Sequence, residues 1–294
     1  GMNEIGIIQD GAVFIKDGNF IDIGTTKKLK KKYTGANIKI IDAAGAVVLP
    51  GFVDSHTHAV FGGNRTGEFV QRIQGKTYLE ILKKGGGIVN TVEQTRKLKF
   101  KKLAETSRKY LDTMLLHGTT TVEIKSGYGL DINTELKILK VIHHLQKTHS
   151  MDIVATFLGA HMIPPEYKND PDTYIKLVCN VLPKVKSYAT FCDTFCDVGA
   201  FSIKQSERVL KTAKSLGFRL KIHTNEFEDI GGVSLAIQLE AVSADHLDNI
   251  KHRDIVRLKE SNVICVLLPG VPFFLMKDTY APAQKMIENG LPIA

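Results

Sequence analysis

The sequence predicts an α/β protein whose body is a (β/α)₈ TIM barrel, incomplete at its C-terminal end and preceded by a small β portion. Three observations predict it. From residue 47 onward, short apolar runs alternate with amphipathic stretches of helix length, as repeated strand and helix units on a parallel sheet require. After the first, these runs start roughly 20 to 40 residues apart, the length of one strand, loop and helix. Five histidines fall at the C-terminal ends of the runs, where barrel active sites are built.

The elements follow in order. Residues 1–50 read as β structure and form one expected domain, part of a β-sandwich: GAVFIKDGNFIDIG alternates apolar and polar residues around the turn Asp17-Gly18, and IKIIDAAGAVVLPG follows. Between them the lysine run 27–32 reads as a solvated face. Residues 51–294 form the expected barrel domain. Its strand runs are VVLPGFVDSH, TTTVEIKS, DIVATFLGAH, FCDTFCDV, RLKIHT, AVSADH and VICVLLPG, and an eighth begins at Leu291. In the stretch TELKILKVIHHLQK, Leu136, Leu139, Ile142 and Leu145 recur on one face of a helix. A doubly wound sheet fits less well, because no G-x-G-x-x-G turn joins a strand to a helix and the glycines 85–87 lie in the long insertion after the first strand. The expected barrel therefore lacks its last strand, as in a fragment of a longer protein or a chain whose open edge another segment covers.

Composition excludes several classes. With 43% hydrophobic and 24% charged residues the chain is globular, and its longest apolar runs, such as 263–268, are far shorter than the roughly 20 residues of a membrane helix. Gly1 ahead of Met2 resembles the remnant of a removed tag, no secretory pattern follows it, and a cytoplasmic location is expected. The four cysteines are too scattered for a disulfide framework and read as reduced. The net charge of +8 rests on lysine rather than on the arginine fork suited to phosphate and bases, so no nucleic-acid partner is expected.

The histidines carry the chemistry. His56 and His58 are two apart on a strand and share a face, which can contribute two imidazoles to one ion. A lone His-x-His is weak evidence. His161, His223 and His246 end later strands, so a barrel brings them to the same rim, where neutral imidazoles serve as ligands or acid/base groups. Glu226 lies three residues after His223 and belongs to the following loop, within reach of a metal or substrate; position alone leaves a solvated acid beside Glu228 and Asp229 equally open. Glu123 and Lys125 share a strand face and read as an ion pair filling the barrel interior, while Asp193 and Asp197 receive no catalytic role.

The motifs GFVDSHTH, FGGNR, QGKTYLEI, GGGI, HGTTTVEIKSGYGL, FLGAH, KIHTNE, SADHL and VLLPG, in this order, resemble the imidazolonepropionases, a metal-dependent branch of the amidohydrolase superfamily. The resemblance runs from about residue 47 to the last residue. It implies that His56, His58 and His223 bind one divalent metal ion, zinc or iron, and that Glu226 and His246 are catalytic, handling protons and polarising the carbonyl. It implies substrate binding by Arg65, Tyr78, Tyr128 and His161. The implied reaction opens the ring of 4-imidazolone-5-propanoate with water to give N-formimidoyl-L-glutamate, a step of histidine degradation. The partner implied is a small molecule carrying a carboxylate, with a homodimer left open. No lysine occurs in FCDTFCDV, where two-metal relatives keep a carboxylated one. The family's metal-binding aspartate on the eighth strand falls beyond Ala294, as do the strands that complete its β-sandwich. A catalytically silent protein of the same fold is therefore the alternative; a nucleobase deaminase is a third reading, disfavoured because a neutral base needs no carboxylate clamp.

Overall fold

The structure, a computed structural model, describes residues 5–35, 37–76, 80–81 and 85–294. The chain divides into two compact units, Gly1–Pro50 and Gly51–Ala294.

In the first unit β1 (Gly11–Lys16) pairs antiparallel with β2 (Asn19–Thr25), with Lys16 opposite Asn19. The intervening Asp17 and Gly18 both take positive φ, 51° and 76°, which is what a tight two-residue hairpin turn demands and what glycine supplies without steric cost. The lysine run is helical: α1 (Thr26–Lys32) starts at a Thr25 cap, sets three lysines in its last turn beside the helix's negative end, and buries Leu29. The expected β structure over residues 38–51 does not form. Ile40, Ile41, Val47 and Val48 there are largely exposed, and among the described residues no strand pairs with this segment, so its alternation has no ladder to join.

The second unit is an all-parallel sheet of seven strands in sequential order: β3 (Phe52–Thr57), β4 (Thr119–Lys125), β5 (Asp152–Ala160), β6 (Phe191–Cys196), β7 (Arg219–Thr224), β8 (Ser243–His246) and β9 (Ile264–Val266). The seven strand runs expected from the sequence are these seven. The eighth run begins as expected, since Ile293 bridges in parallel to Cys265 and Ala294 donates to its carbonyl at 2.9 Å. Sequential parallel order with intervening helices is the topology of an incomplete (β/α)₈ barrel. The insertion between β3 and β4 carries α2 (Thr66–Ile73), α3 (Ile88–Lys97) and α4 (Phe100–Leu116). Helix α5 (Ile132–Thr148) is capped by Asp131, which accepts from the Thr134 amide at 2.8 Å, and buries Leu139, Ile142 and Leu145 against the sheet.

Helices α6 (Pro171–Val185), α7 (Ile203–Ser215), α8 (Gly232–Leu239), α9 (His252–Lys259), α10 (Gly270–Leu275) and α11 (Ala283–Glu288) complete the unit. No described helix is long and apolar enough to cross a membrane. All four cysteines are free.

Charged side chains lie buried among the strands. Lys125 Nζ sits 2.9 Å from Glu123, 2.8 Å from Asp193 and 3.3 Å from Asp245, and Lys221 Nζ donates to the Ser55 carbonyl at 2.8 Å. Burial favours loss of the Lys125 proton, but the three carboxylates outweigh it and hold the ammonium firmly charged.

Candidate active site

The strand ends converge on a cluster of imidazoles. His56 closes to 4.4 Å from His223 and 5.3 Å from His246 between ring centroids, and His58 lies 5.5 Å from His56 and 5.9 Å from His223. His161 stacks on His58 at 4.7 Å with its plane tilted by 12°, and Tyr128 covers both, at 5.1 and 5.3 Å. Thus His56, His58, His161, His223, His246 and Tyr128, chosen from the sequence, come together. Two trios bring their ring nitrogens within 4.8 Å of one another: His56, His223 and His246, and His58, His161 and His223. The expected ligands His56, His58 and His223 are divided between these trios, with His223 common to both.

Two buried aspartates face the cluster from beneath. Asp245 Oδ2 lies 2.7 Å from His56 Nδ1 and is also the carboxylate that Lys125 and Lys221 approach, while Ser243 donates to its other oxygen at 2.5 Å. Burial pushes the Asp245 carboxyl up, but the two ammoniums overcome this and keep it ionised, at about 2. Asp193 Oδ2 is 3.0 Å from His223 Nδ1, without the alignment of a hydrogen bond.

The rings are neutral. Burial first, then the charges of Lys125 and of neighbouring imidazoles, hold His56, His58 and His223 well below 6.5; burial takes His161 and His246 down to about 4. Buried nitrogens of His58, His223 and His246 have no hydrogen-bond partner among the described residues. Neutral imidazoles with unused lone pairs, backed by carboxylates, are the donor set of a divalent metal ion, and a cation among them would satisfy nitrogens that are otherwise costly to bury.

Glu226 stands in the loop after β7, 3.6 Å from His246, and burial raises its carboxyl to about 7. The loop is fixed by Asp197, whose carboxylate accepts from the amides of Glu226, Phe227 and Glu228 at 2.7, 3.1 and 3.0 Å. Lys277 and Asn249 donate to the Glu226 carbonyl at 3.0 and 2.9 Å. His246 and Leu247 both have positive φ, 79° and 64°, a strained pair of the kind that clusters at functional sites.

Arg65 is not part of the ring cluster. Its Nε donates to Glu68 at 2.9 Å, its guanidinium lies 5.5 Å from the Phe274 ring, and it lines a cavity of about 360 Å³ with Asn64, Glu68, Gln71 and Asn90. No described contact joins it to the histidines. Tyr78 lies outside the described residues.

Sequence reasoning missed Asp245 and the part played by Asp193 and Asp197. A charge inside an otherwise apolar strand run was the available signal, since such a residue faces either the barrel interior or its rim.

Comparison with known proteins identifies the family. Residues 47–269 match the amidohydrolase family. An imidazolonepropionase of Alkaliphilus oremlandii is 46% identical over the whole of this chain and 70% of its own length, and one of Clostridium tetani is 46% identical with the same coverage. Among solved structures, the guanine deaminase of C. acetobutylicum superposes with a TM-score of 0.69 at 16% identity, covering 100% of this chain and 70% of that one, a likeness of fold. The chain belongs to the amidohydrolase family and, within it, to the imidazolonepropionases.

Proposed function

We propose that the protein opens the ring of 4-imidazolone-5-propanoate with water to give N-formimidoyl-L-glutamate. The observation that carries this is the match to relatives of that name across the entire chain at 46% identity, with strand-end histidines gathered at one rim. In the reaction the oxygen of water joins the ring carbonyl carbon, the carbon–nitrogen bond breaks, and the nitrogen leaves with a proton.

We assign the metal, zinc or iron, to His56, His58 and His223. Their ring centroids are 4.4, 5.5 and 5.9 Å apart, and His223 belongs to both trios of converging nitrogens. Such an ion supplies Lewis acidity, making water nucleophilic at neutral pH and polarising a carbonyl. The other steps belong to the chain. Neutral His246 donates a hydrogen bond to the carbonyl oxygen as charge develops on it. Glu226, poised near neutrality, accepts a proton from water and returns it to the departing nitrogen. His161 and Tyr128 hold the ring, and Arg65, whose terminal nitrogens remain available beyond its bond to Glu68, takes the propionate together with Tyr78.

The test is ring opening by the full-length protein loaded with zinc or with iron, followed by loss of the imidazolone absorbance. Turnover that disappears on chelation and returns with the metal is expected. No turnover with either metal would overturn the assignment.

A further inference from the structure

The proposed mechanism leaves one buried carboxylate unused. Glu135 lies in the first turn of α5 and is 3% exposed. Its Oε1 accepts from the amides of Gly129 and Leu130 at 2.7 and 2.9 Å, and its Oε2 from the amide of Gly127 at 3.0 Å. Together these bonds knit the loop between β4 and α5, which carries Tyr128, onto a single side chain. The glycines are part of the fit. Gly127 holds φ at +109°, and a Cβ at Gly129 would come within 2.6 Å of the Glu135 amide nitrogen and 2.9 Å of Oε1.

Gly127 also reaches the next strand. Its carbonyl lies 3.0 Å from His161 Nδ1, and since a carbonyl only accepts, the proton resides on Nδ1 and Nε2 keeps its lone pair. The chain of contacts therefore runs from Glu135 to Gly127 and on to His161, while the same loop sets Tyr128 5.3 Å from that ring.

We propose that Glu135 is a positioning residue for substrate recognition: by holding Gly127 it fixes both the Tyr128 ring and the Nδ1–H form of His161, which then offers an Nε2 acceptor to a ring N–H of a cyclic-amide substrate. This rests on the assignment of Tyr128 and His161 to substrate. Its effect falls on binding more than on bond cleavage, because Gly127 touches the ring cluster only at His161, a residue assigned to the substrate.

Glu135→Gln is the discriminating variant. It keeps the shape and replaces one oxygen by an NH₂ group; because Oε1 serves two amides and Oε2 one, the NH₂ settles against Gly127, where donor meets donor. KM for imidazolonepropionate rises about tenfold, the worth of one hydrogen bond to a charged group, while kcat falls less. Amide exchange at Gly127 accelerates while Gly129 and Leu130 stay protected, and the ¹⁵N spectrum of His161 shifts toward a mixture of tautomers. A folded variant with unchanged KM and an unchanged His161 spectrum overturns the proposal. If the variant does not fold, the unsubstituted protein decides: protected amides at all three positions with His161 in its Nδ1–H form support it, and unprotected amides or an Nε2–H form overturn it. Absence of turnover in the unsubstituted protein strikes the proposed reaction instead, and the exchange and ¹⁵N measurements still judge Glu135.

Discussion

Asp245 Oδ2 and His56 Nδ1 meet at 2.7 Å although the residues are 189 positions apart, one at the end of the sixth barrel strand and the other at the end of the first. A carboxylate on Nδ1 leaves Nε2 as the only ligand atom of His56 and makes it more basic. Asp245→Asn, which keeps the shape and removes the charge, should weaken metal binding by about 10- to 100-fold, measured by competition with a chelator. Unchanged affinity would show that the hydrogen bond alone, without the charge, orients the ring.

Acid should unfold the metal-free protein through its imidazoles. His161 and His246 are held at about 4 by burial against an ordinary 6.5, so the folded state binds fewer protons than the unfolded chain. A depressed value means stability is fully present above pH 6.5 and is lost as pH falls through 4. The limiting loss is roughly 3 kcal/mol per ring. Denaturant midpoints at a series of pH values in that window check this, and a flat profile would mean that the rings ionise in place.

Glu226 works in the opposite sense. Burial raises its carboxyl to about 7, so the folded state holds a proton that the unfolded chain releases above its ordinary 4.5, and this stabilisation disappears as pH rises through 7. Glu226→Gln should lower kcat by about 10²- to 10⁴-fold and also remove the limb of the pH–rate profile near neutrality. At pH 8 the metal-free variant should resist denaturant better than the parent. Lower resistance there would show that the ionised carboxylate has stabilising contacts.

Arg65 tests the substrate. If its free guanidinium nitrogens take the propionate, Arg65→Met should weaken use of the acid by about 1.5 to 3 kcal/mol, with a much smaller loss for an analogue bearing a neutral amide. Glu68 keeps the Gly87 amide at 2.8 Å and Arg72 at 3.6 Å, so the loop retains its other ties. Equal losses for the two compounds would make Arg65 a shaper of the loop.

The barrel strands were legible in the sequence because a buried parallel strand writes itself as a local apolar run, and the strand-end histidines were legible for the same reason. Residues 38–51 carry similar alternation and form no strand, because a strand also needs a ladder partner, which a local pattern does not specify. The lysine run reads only as a solvated face, because seven residues around one buried leucine are too few to show a helical period. Asp245, Asp197 and Glu135 were illegible as parts of the site. Asp245 and Asp197 act on atoms that only the arrangement of strands brings near, Glu135 accepts from amides five to eight residues before it, and an isolated acid in a sequence does not announce which amide it will accept from.

The buried charges beneath the imidazoles also restrict the paths by which this protein can diverge. Among the described residues Glu123, Asp193 and Asp245 lie against Lys125 and Lys221, and losing Lys125 leaves Asp193 without a lysine at a cost of about 3 to 5 kcal/mol, a large share of a domain's total stability. A replacement of Lys125 alone is therefore a dead end for a lineage. Change there must come as a coordinated exchange of Lys125 and Asp193, which lie on different strands, so these two positions should drift together or not at all.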